Sequence, residues 1–185
     1  MIEASLWQTA IGLQSYLESC DYSFCIIGGI AVQRWGEPRL TRDVDATLAI
    51  PFGSERRVAG EILKRYQSRV SNPVDFAVQA RILLLADLSG NAIDLALGGM
   101  PYEERLMARS TMWGIPGSGK IRTCSAEDLV VLKAFANRPQ DWVDIQRVII
   151  RQGKQLNRDL ILEELKPLVE LKEEPEILDD LNKLF

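Results

Sequence analysis

The sequence predicts an α+β fold: a mixed β-sheet with flanking helices, followed by a C-terminal helical part. Three observations predict it. Short apolar runs bounded by Gly, Pro and Asn recur between residues 24 and 124, which is the pattern of strands closed by turns. From Ser125 onward the apolar residues recur at helical spacing and the punctuation thins to Pro139, Gly153 and Pro175. The chain has 185 residues, 46% hydrophobic and 26% charged, which suits one compact domain or a domain with a modest extension. The expected division is an α/β core over 1–124 and a helical part over 125–185.

Taken in order, Leu6, Ile11, Leu13 and Leu17 space an opening helix over 3–19. Phe24-Cys25-Ile26-Ile27 reads as a buried strand that runs into Gly28-Gly29, and Ile30 to Trp35 as a short helix stopped by Gly36 and Pro38. Val44 to Ile50 is a second strand closed by Pro51. Ser54 is placed to cap a helix over 55–67. Arg81 to Leu88, the turn Ser89-Gly90-Asn91 and Ala92 to Leu97 form a β-hairpin. The turn-rich Gly114–Gly119 separates two further short strands. Ser125-Ala126-Glu127-Asp128 starts a helix with Asp128 at the third position of a capping box. Helices over 126–137, 139–152, 158–171 and 175–184 follow.

Composition excludes several classes of function. The chain has no histidine, so histidine triads, histidine-ligated zinc and imidazole bases are ruled out. Its longest apolar run, Phe24 to Val32, is far short of the roughly 20 residues of a membrane helix. No basic region and apolar core open the sequence, so a cytoplasmic protein with reduced thiols at Cys20, Cys25 and Cys124 is expected. The formal charge is −4, and the acidic excess falls after residue 125. A chain-wide basic footprint for duplex DNA is therefore absent. Arg34, Arg39 and Arg42 cluster early. Arg56, Arg57, Lys64, Arg65 and Arg69 read as a solvated helix face.

The chemistry-bearing stretch is Gly28-Gly29, then thirteen residues, then Asp43-Val44-Asp45. On a strand, Asp43 and Asp45 point the same way. Two adjacent carboxylates repel, and a hard cation such as Mg²⁺ resolves the conflict because it takes oxygen ligands and shares them with phosphates. Pairing with Arg39 or Arg42 on an edge strand is the alternative. The glycine pair lies where a strand turns into a helix, a place where backbone N–H groups approach an anion closely. Asp94 sits in the otherwise apolar Ala92–Leu97, where a lone carboxylate is costly unless paired or metal-bound. Three acids can hold two metal ions across a phosphoryl or nucleotidyl transfer.

The order GG, short helix, Arg39-Leu40-Thr41-Arg42-Asp43-Val44-Asp45 and a later strand Asp resembles the polymerase-β-type nucleotidyltransferase superfamily. Ser125-Ala126-Glu127-Asp128-Leu129-Val130-Val131-Leu132-Lys133, with Arg138, Asp141 and Asp144 after it, is similar to the AbiEii-type branch, which includes toxins of bacterial toxin–antitoxin pairs. The likeness spans about residues 24–150. Arg42 departs from it, because many members have an apolar residue there. The resemblance implies a nucleotidyltransferase-like sheet and transfer of an NMP from an NTP to a hydroxyl on tRNA, protein or a small molecule. It implies that Gly28 and Gly29 hold the triphosphate and that Asp43 and Asp45 ligate Mg²⁺. Asp94 would take a second ion or activate the acceptor. Lys133 would contact the triphosphate and Arg39 the phosphate or the acceptor, and a cognate antitoxin becomes a candidate partner. The competing expectation is a non-catalytic interaction protein that keeps the fold.

Two features are read as decoys. Gly114-Ile115-Pro116-Gly117-Ser118-Gly119-Lys120 imitates a phosphate-binding loop, but Ile121 follows where Ser or Thr is needed and a strand follows where a helix is needed. Asp141 and Asp144, three residues apart on one helix face, are expected to pair with Arg138 and Arg147.

Overall fold

The computed structural model describes residues 4–185. The chain divides into two compact units. The first comprises the residues up to Ile30 together with Leu40–Cys124, and the second comprises Ala31–Arg39 and Ser125–Phe185.

In the first unit, α1 (Ala4–Ser19) precedes β1 (Phe24–Ile26) and the opening of α2 (Gly28–Trp35). Glu3, where the first helix was expected to begin, lies outside the described residues. Next come β2 (Asp43–Ala49), α3 (Glu55–Ile62), β3 (Gln67–Ser68), α4 (Pro73–Ala80), β4 (Ile82–Ala86), β5 (Ala92–Gly98), α5 (Pro101–Arg109), β6 (Thr111–Ile115) and β7 (Gly119–Thr123). The seven strands form one mixed sheet in the order β3-β4-β5-β2-β1-β7-β6. The β2–β5 and β1–β7 pairs are parallel and the others antiparallel. The β4–β5 and β6–β7 hairpins fall where turn chemistry places them. Ile121, Arg122 and Thr123 are strand, so the phosphate-loop imitation is a hairpin turn.

Three local expectations are corrected. Gly28 and Gly29 are the first residues of α2 rather than a turn ahead of it. The helix after Ser54 ends at Ile62, because Gln67–Ser68 leaves to pair with β4. Ser54 makes no side-chain cap, since its hydroxyl donates to Pro51 O at 2.6 Å. The single charged helix face is borne out only in part: Arg57 pairs with Glu61 and Arg56 with Asp75 of α4, both in the open, whereas Lys64 and Arg65 fall past the end of α3 and Arg69 lies after β3.

The sheet's core face is assembled by alternation. Val44, Ala46 and Leu48 of β2, with Ile93, Leu95 and Leu97 of β5, are buried and cluster with Leu6, Leu13 and Leu17 of α1 and Val58 and Ile62 of α3. At roughly 1.5–3 kcal/mol per fully buried aliphatic side chain, this face fixes the strand register. It thereby also decides that Asp43, Asp45 and Asp94, at the alternate positions, share the opposite face.

In the second unit, α6 (Ala126–Ala136), α7 (Pro139–Gln152), a 3₁₀ turn (Gly153–Gln155), α8 (Arg158–Lys172) and α9 (Glu176–Asn182) follow the expected helices closely. Leu129, Val130, Ile145, Val148, Ile161, Leu165, Val169, Ile177 and Leu181 form its buried interior. Ser125 caps α6 as expected: Asp128 N–H donates to Ser125 Oγ at 3.0 Å, and the hydroxyl donates to Asp128 Oδ2 at 2.8 Å. Ser125→Ala is expected to cost about 1 kcal/mol, read by chemical denaturation. An unchanged midpoint would show that water replaces the cap without loss.

Candidate active site

The site is built on the face of β2 and β5 that the core leaves free. Parallel pairing sets Asp45 directly beside Asp94, with Asp43 two residues earlier on β2. All three are half-buried, and one carboxylate oxygen from each lies within 4.8 Å of the others. At an effective dielectric of about 20, each such pair of charges repels by roughly 3 kcal/mol. The donor set is all-carboxylate and half-exposed, which fits a hard divalent cation.

The glycine pair seats this cluster. Gly28 has φ +59°, a left-handed backbone that costs a side-chain-bearing residue about 1–2 kcal/mol. A Cβ on Gly28 would overlap the Asp45 carboxylate, and one on Gly29 would overlap the Thr41 hydroxyl. Gly29 N–H donates to Asp45 Oδ2 at 3.4 Å, and Thr41 Oγ1 donates to Asp43 Oδ1 at 3.0 Å. Both carboxylates are thus oriented by groups that only a bare backbone lets in. Gly28→Ala is expected to destabilise the protein by about 2 kcal/mol or more and to displace Asp45. A melting temperature equal to wild type would contradict this.

One residue expected on a solvated helix face lies at the cluster instead. Arg69, just after β3, forms an ion pair with Asp94. The signal available in sequence was slight: an arginine ahead of Val70, too far along the chain to be matched with a strand aspartate.

The two phosphate contacts implied by the resemblance lie in the second unit, engaged with carboxylates there. Lys133 is buried, and its ammonium donates to Asp141 Oδ1 at 2.8 Å and pairs with Asp144 Oδ2 at 2.7 Å. Arg39 makes a two-pronged contact with Asp144, with Nε to Oδ1 and Nη2 to Oδ2 both at 2.9 Å. Arg138 holds Asp141 as expected, at 2.6 Å. Arg147 does not hold Asp144; it pairs with Glu37 at 2.9 Å, and Arg39 and Lys133 take its place. Burial alone would raise the Asp141 and Asp144 carboxyls. The hydrogen bonds from Arg138 and Lys133, and from Arg39 and Lys133, outweigh it and hold both below the ordinary aspartate value of 3.8.

The site thus lies on a mixed sheet that carries clustered aspartates on adjacent parallel strands, beside a glycine-opened helix. The chain belongs to the family described as nucleotidyltransferases of unknown function (DUF6036), whose model matches residues 6–177. No curated protein gives a significant match. Among solved structures, the chain is similar to an antigenic nucleotidyltransferase-like protein from Paracoccidioides brasiliensis. That match has 16% identity and a TM-score of 0.55, covering 96% of this chain and 92% of the other. It is also similar to the lincosamide antibiotic adenylyltransferase LnuA in its lincomycin-bound form, with 14% identity, TM-score 0.47, and 80% and 96% covered. A further match is the antibiotic-resistance factor ANT(2'')-Ia, with 14% identity, TM-score 0.49, and 92% and 93% covered. The first of these likenesses supports the nucleotidyltransferase-like fold. No described helix is long and apolar enough to cross a membrane. The AbiEii-type branch is not singled out by these matches.

Proposed function

We propose that the chain is a Mg²⁺-dependent nucleotidyltransferase that moves an NMP from an NTP to a hydroxyl acceptor and releases pyrophosphate. The observation that supports this most is the convergence of Asp43, Asp45 and Asp94 beside Gly28-Gly29. Mg²⁺ held by these three carboxylates would offset phosphate charge and polarise the α-phosphate. The chain's own residues do the rest. Asp43 and Asp45 are oriented by Thr41 and Gly29, so the ligand atoms are set before substrate arrives. The N-terminal end of α2, whose Gly29 N–H seats Asp45, would give a partly positive approach for a phosphate oxygen. Asp94, the register neighbour of Asp45, takes a second ion or receives the proton of the acceptor hydroxyl.

We assign Arg39 and Lys133 to the ion network of the second unit rather than to phosphate, because Lys133 pairs with Asp141 and Asp144 and Arg39 with Asp144. The acceptor is a hydroxyl on tRNA, protein or a small molecule. A toxin role with a cognate antitoxin, and a cytoplasmic setting, rest on the sequence reading alone.

The test is incubation with each labelled NTP, Mg²⁺, and total tRNA or lysate, followed by a gel. Label in a macromolecular band or a new small product, lost when EDTA is added, is expected. One observation favours the second reading, a non-catalytic interaction protein: Arg69 neutralises Asp94 from within the chain. No transfer with any NTP, together with no cation-dependent thermal stabilisation by NTP, would establish that reading instead.

A further inference from the structure

Arg69 is fixed from both ends of the residue. Its backbone N–H donates to Leu84 O at 2.9 Å, and its Nε donates to Leu85 O at 2.9 Å, both on β4. Nη2 reaches across to Ile93 O at 3.5 Å and to the Asp94 carboxylate on β5. The planar fork is therefore docked on strand carbonyls and meets Asp94 at Oδ1. Both partners keep about a third of their side-chain surface exposed, 36% for Arg69 and 31% for Asp94, so the contact opens onto the wet face of the cluster.

We infer that Arg69 is a positioning residue that competes with the cation for Asp94, so that the three carboxylates load a cation weakly until an anionic nucleotide arrives with it. The inference rests on the nucleotidyltransferase reading of the site. A carboxylate has two oxygens, and Arg69 takes one. That leaves the other as the ligand and fixes the plane in which it is presented. The same guanidinium places a unit positive charge a few ångströms from any ion held by Asp94, which opposes that ion. A triphosphate reverses the balance, because its own negative charge offsets the arginine and brings a cation of its own. Swinging Arg69 aside is disfavoured, since its bonds to β4 and β5 carbonyls would be broken at a half-buried edge. A group that merely braced the sheet would act through stability alone. A competing charge has opposite effects on two readouts: removing it strengthens cation binding and weakens transfer, because Asp94 is then free to turn.

The experiment is Mn²⁺ binding followed by electron paramagnetic resonance on the full chain, first without nucleotide and then with a non-hydrolysable NTP analogue. Wild type, Arg69→Gln, Arg69→Met, Arg69→Lys and Asp94→Asn are compared, with melting temperatures measured in parallel. The glutamine variant keeps a donor for Leu85 O, so it serves if the methionine variant folds poorly. Either neutral variant is expected to bind Mn²⁺ roughly tenfold tighter than wild type without nucleotide. The gain on adding the analogue should shrink correspondingly. Arg69→Lys, which keeps the charge and loses the fork, is expected to stay within about twofold of wild type. Folded neutral variants with equal or weaker Mn²⁺ affinity would overturn the inference and leave the reading of the site standing. Wild type that binds no Mn²⁺ with or without the analogue, indistinguishable from Asp94→Asn, would overturn the nucleotidyltransferase reading and the inference with it.

Discussion

Asp45→Asn is expected to abolish nucleotide transfer while leaving the fold intact. Asp45 stands at the centre of the cluster, two residues from Asp43 on β2 and beside Asp94 in the register. Its Oδ2 accepts the Gly29 N–H at the start of α2. Asparagine keeps an oxygen for that N–H, so the helix start stays seated, but it is a neutral and much poorer ligand for a hard cation. Loss of one of three carboxylates is expected to lower transfer by at least about a thousandfold, or roughly 4 kcal/mol of transition-state stabilisation. Stability should move the other way. In the cation-free protein the substitution relieves repulsion among charges packed within 4.8 Å, so the melting temperature should be equal or higher. Both quantities can be read on one preparation, by label transfer with Mg²⁺ and by thermal unfolding in EDTA. Near wild-type transfer would end the three-carboxylate reading. A collapse in melting temperature would mean that Asp45 serves the α2 seat rather than a cation.

The parts of this site that were legible in sequence are those set by period and by glycine. Alternation put Asp43 and Asp45 on one face, and the β2–β5 register sets Asp94 beside them because Val44, Ile93 and Leu95 must face the core. The glycine pair was read as a place of close approach for a phosphate; what the structure puts in the space a Gly28 Cβ would need is the Asp45 carboxylate. What escaped was set by long-range contact. Arg69 meets Asp94 only because β3 pairs with β4 and β4 with β5, a chain of registers that no local pattern encodes. Helices α4 and α5 were also missed, though each begins with a proline at its first position, Pro73 and Pro101. Short helices on such starts carry too few turns for periodicity to show. In the second unit, Asp141 and Asp144 were matched to the nearest basic residues along their own helix. The apolar neighbours of Lys133 were the better guide: a lysine among Leu129, Val130 and Ala134 is buried, and a buried ammonium requires buried carboxylates.

Lys133→Met is expected to cost the protein far more stability than nucleotide affinity. Methionine keeps the aliphatic stem, so packing along α6 changes little. The charge is what is lost, and among the described residues it leaves Asp141 and Asp144, both nearly inaccessible to solvent, with Arg138 and Arg39 as cationic partners. Removing one member of a buried ion pair typically costs about 3–5 kcal/mol, because the remaining charge stays desolvated. The loss should be read by chemical denaturation. Adding Asp141→Asn to Lys133→Met should recover part of it, since the carboxylate left unpaired is then neutral. The pH dependence follows from the same contacts. Both aspartates titrate below 3.8 when folded, so the stability they contribute is fully present above about pH 4 and is lost as pH falls through their lowered folded values. Lys133→Met should flatten that acid limb relative to wild type, since the ammonium is one of the groups holding both carboxyls down. Nucleotide binding, followed by cation-dependent thermal stabilisation and normalised to the variant's own melting point, should stay close to wild type. The opposite pattern, an unchanged denaturation midpoint with a strong fall in NTP affinity, would return Lys133 to the triphosphate and make its contacts with Asp141 and Asp144 a resting arrangement.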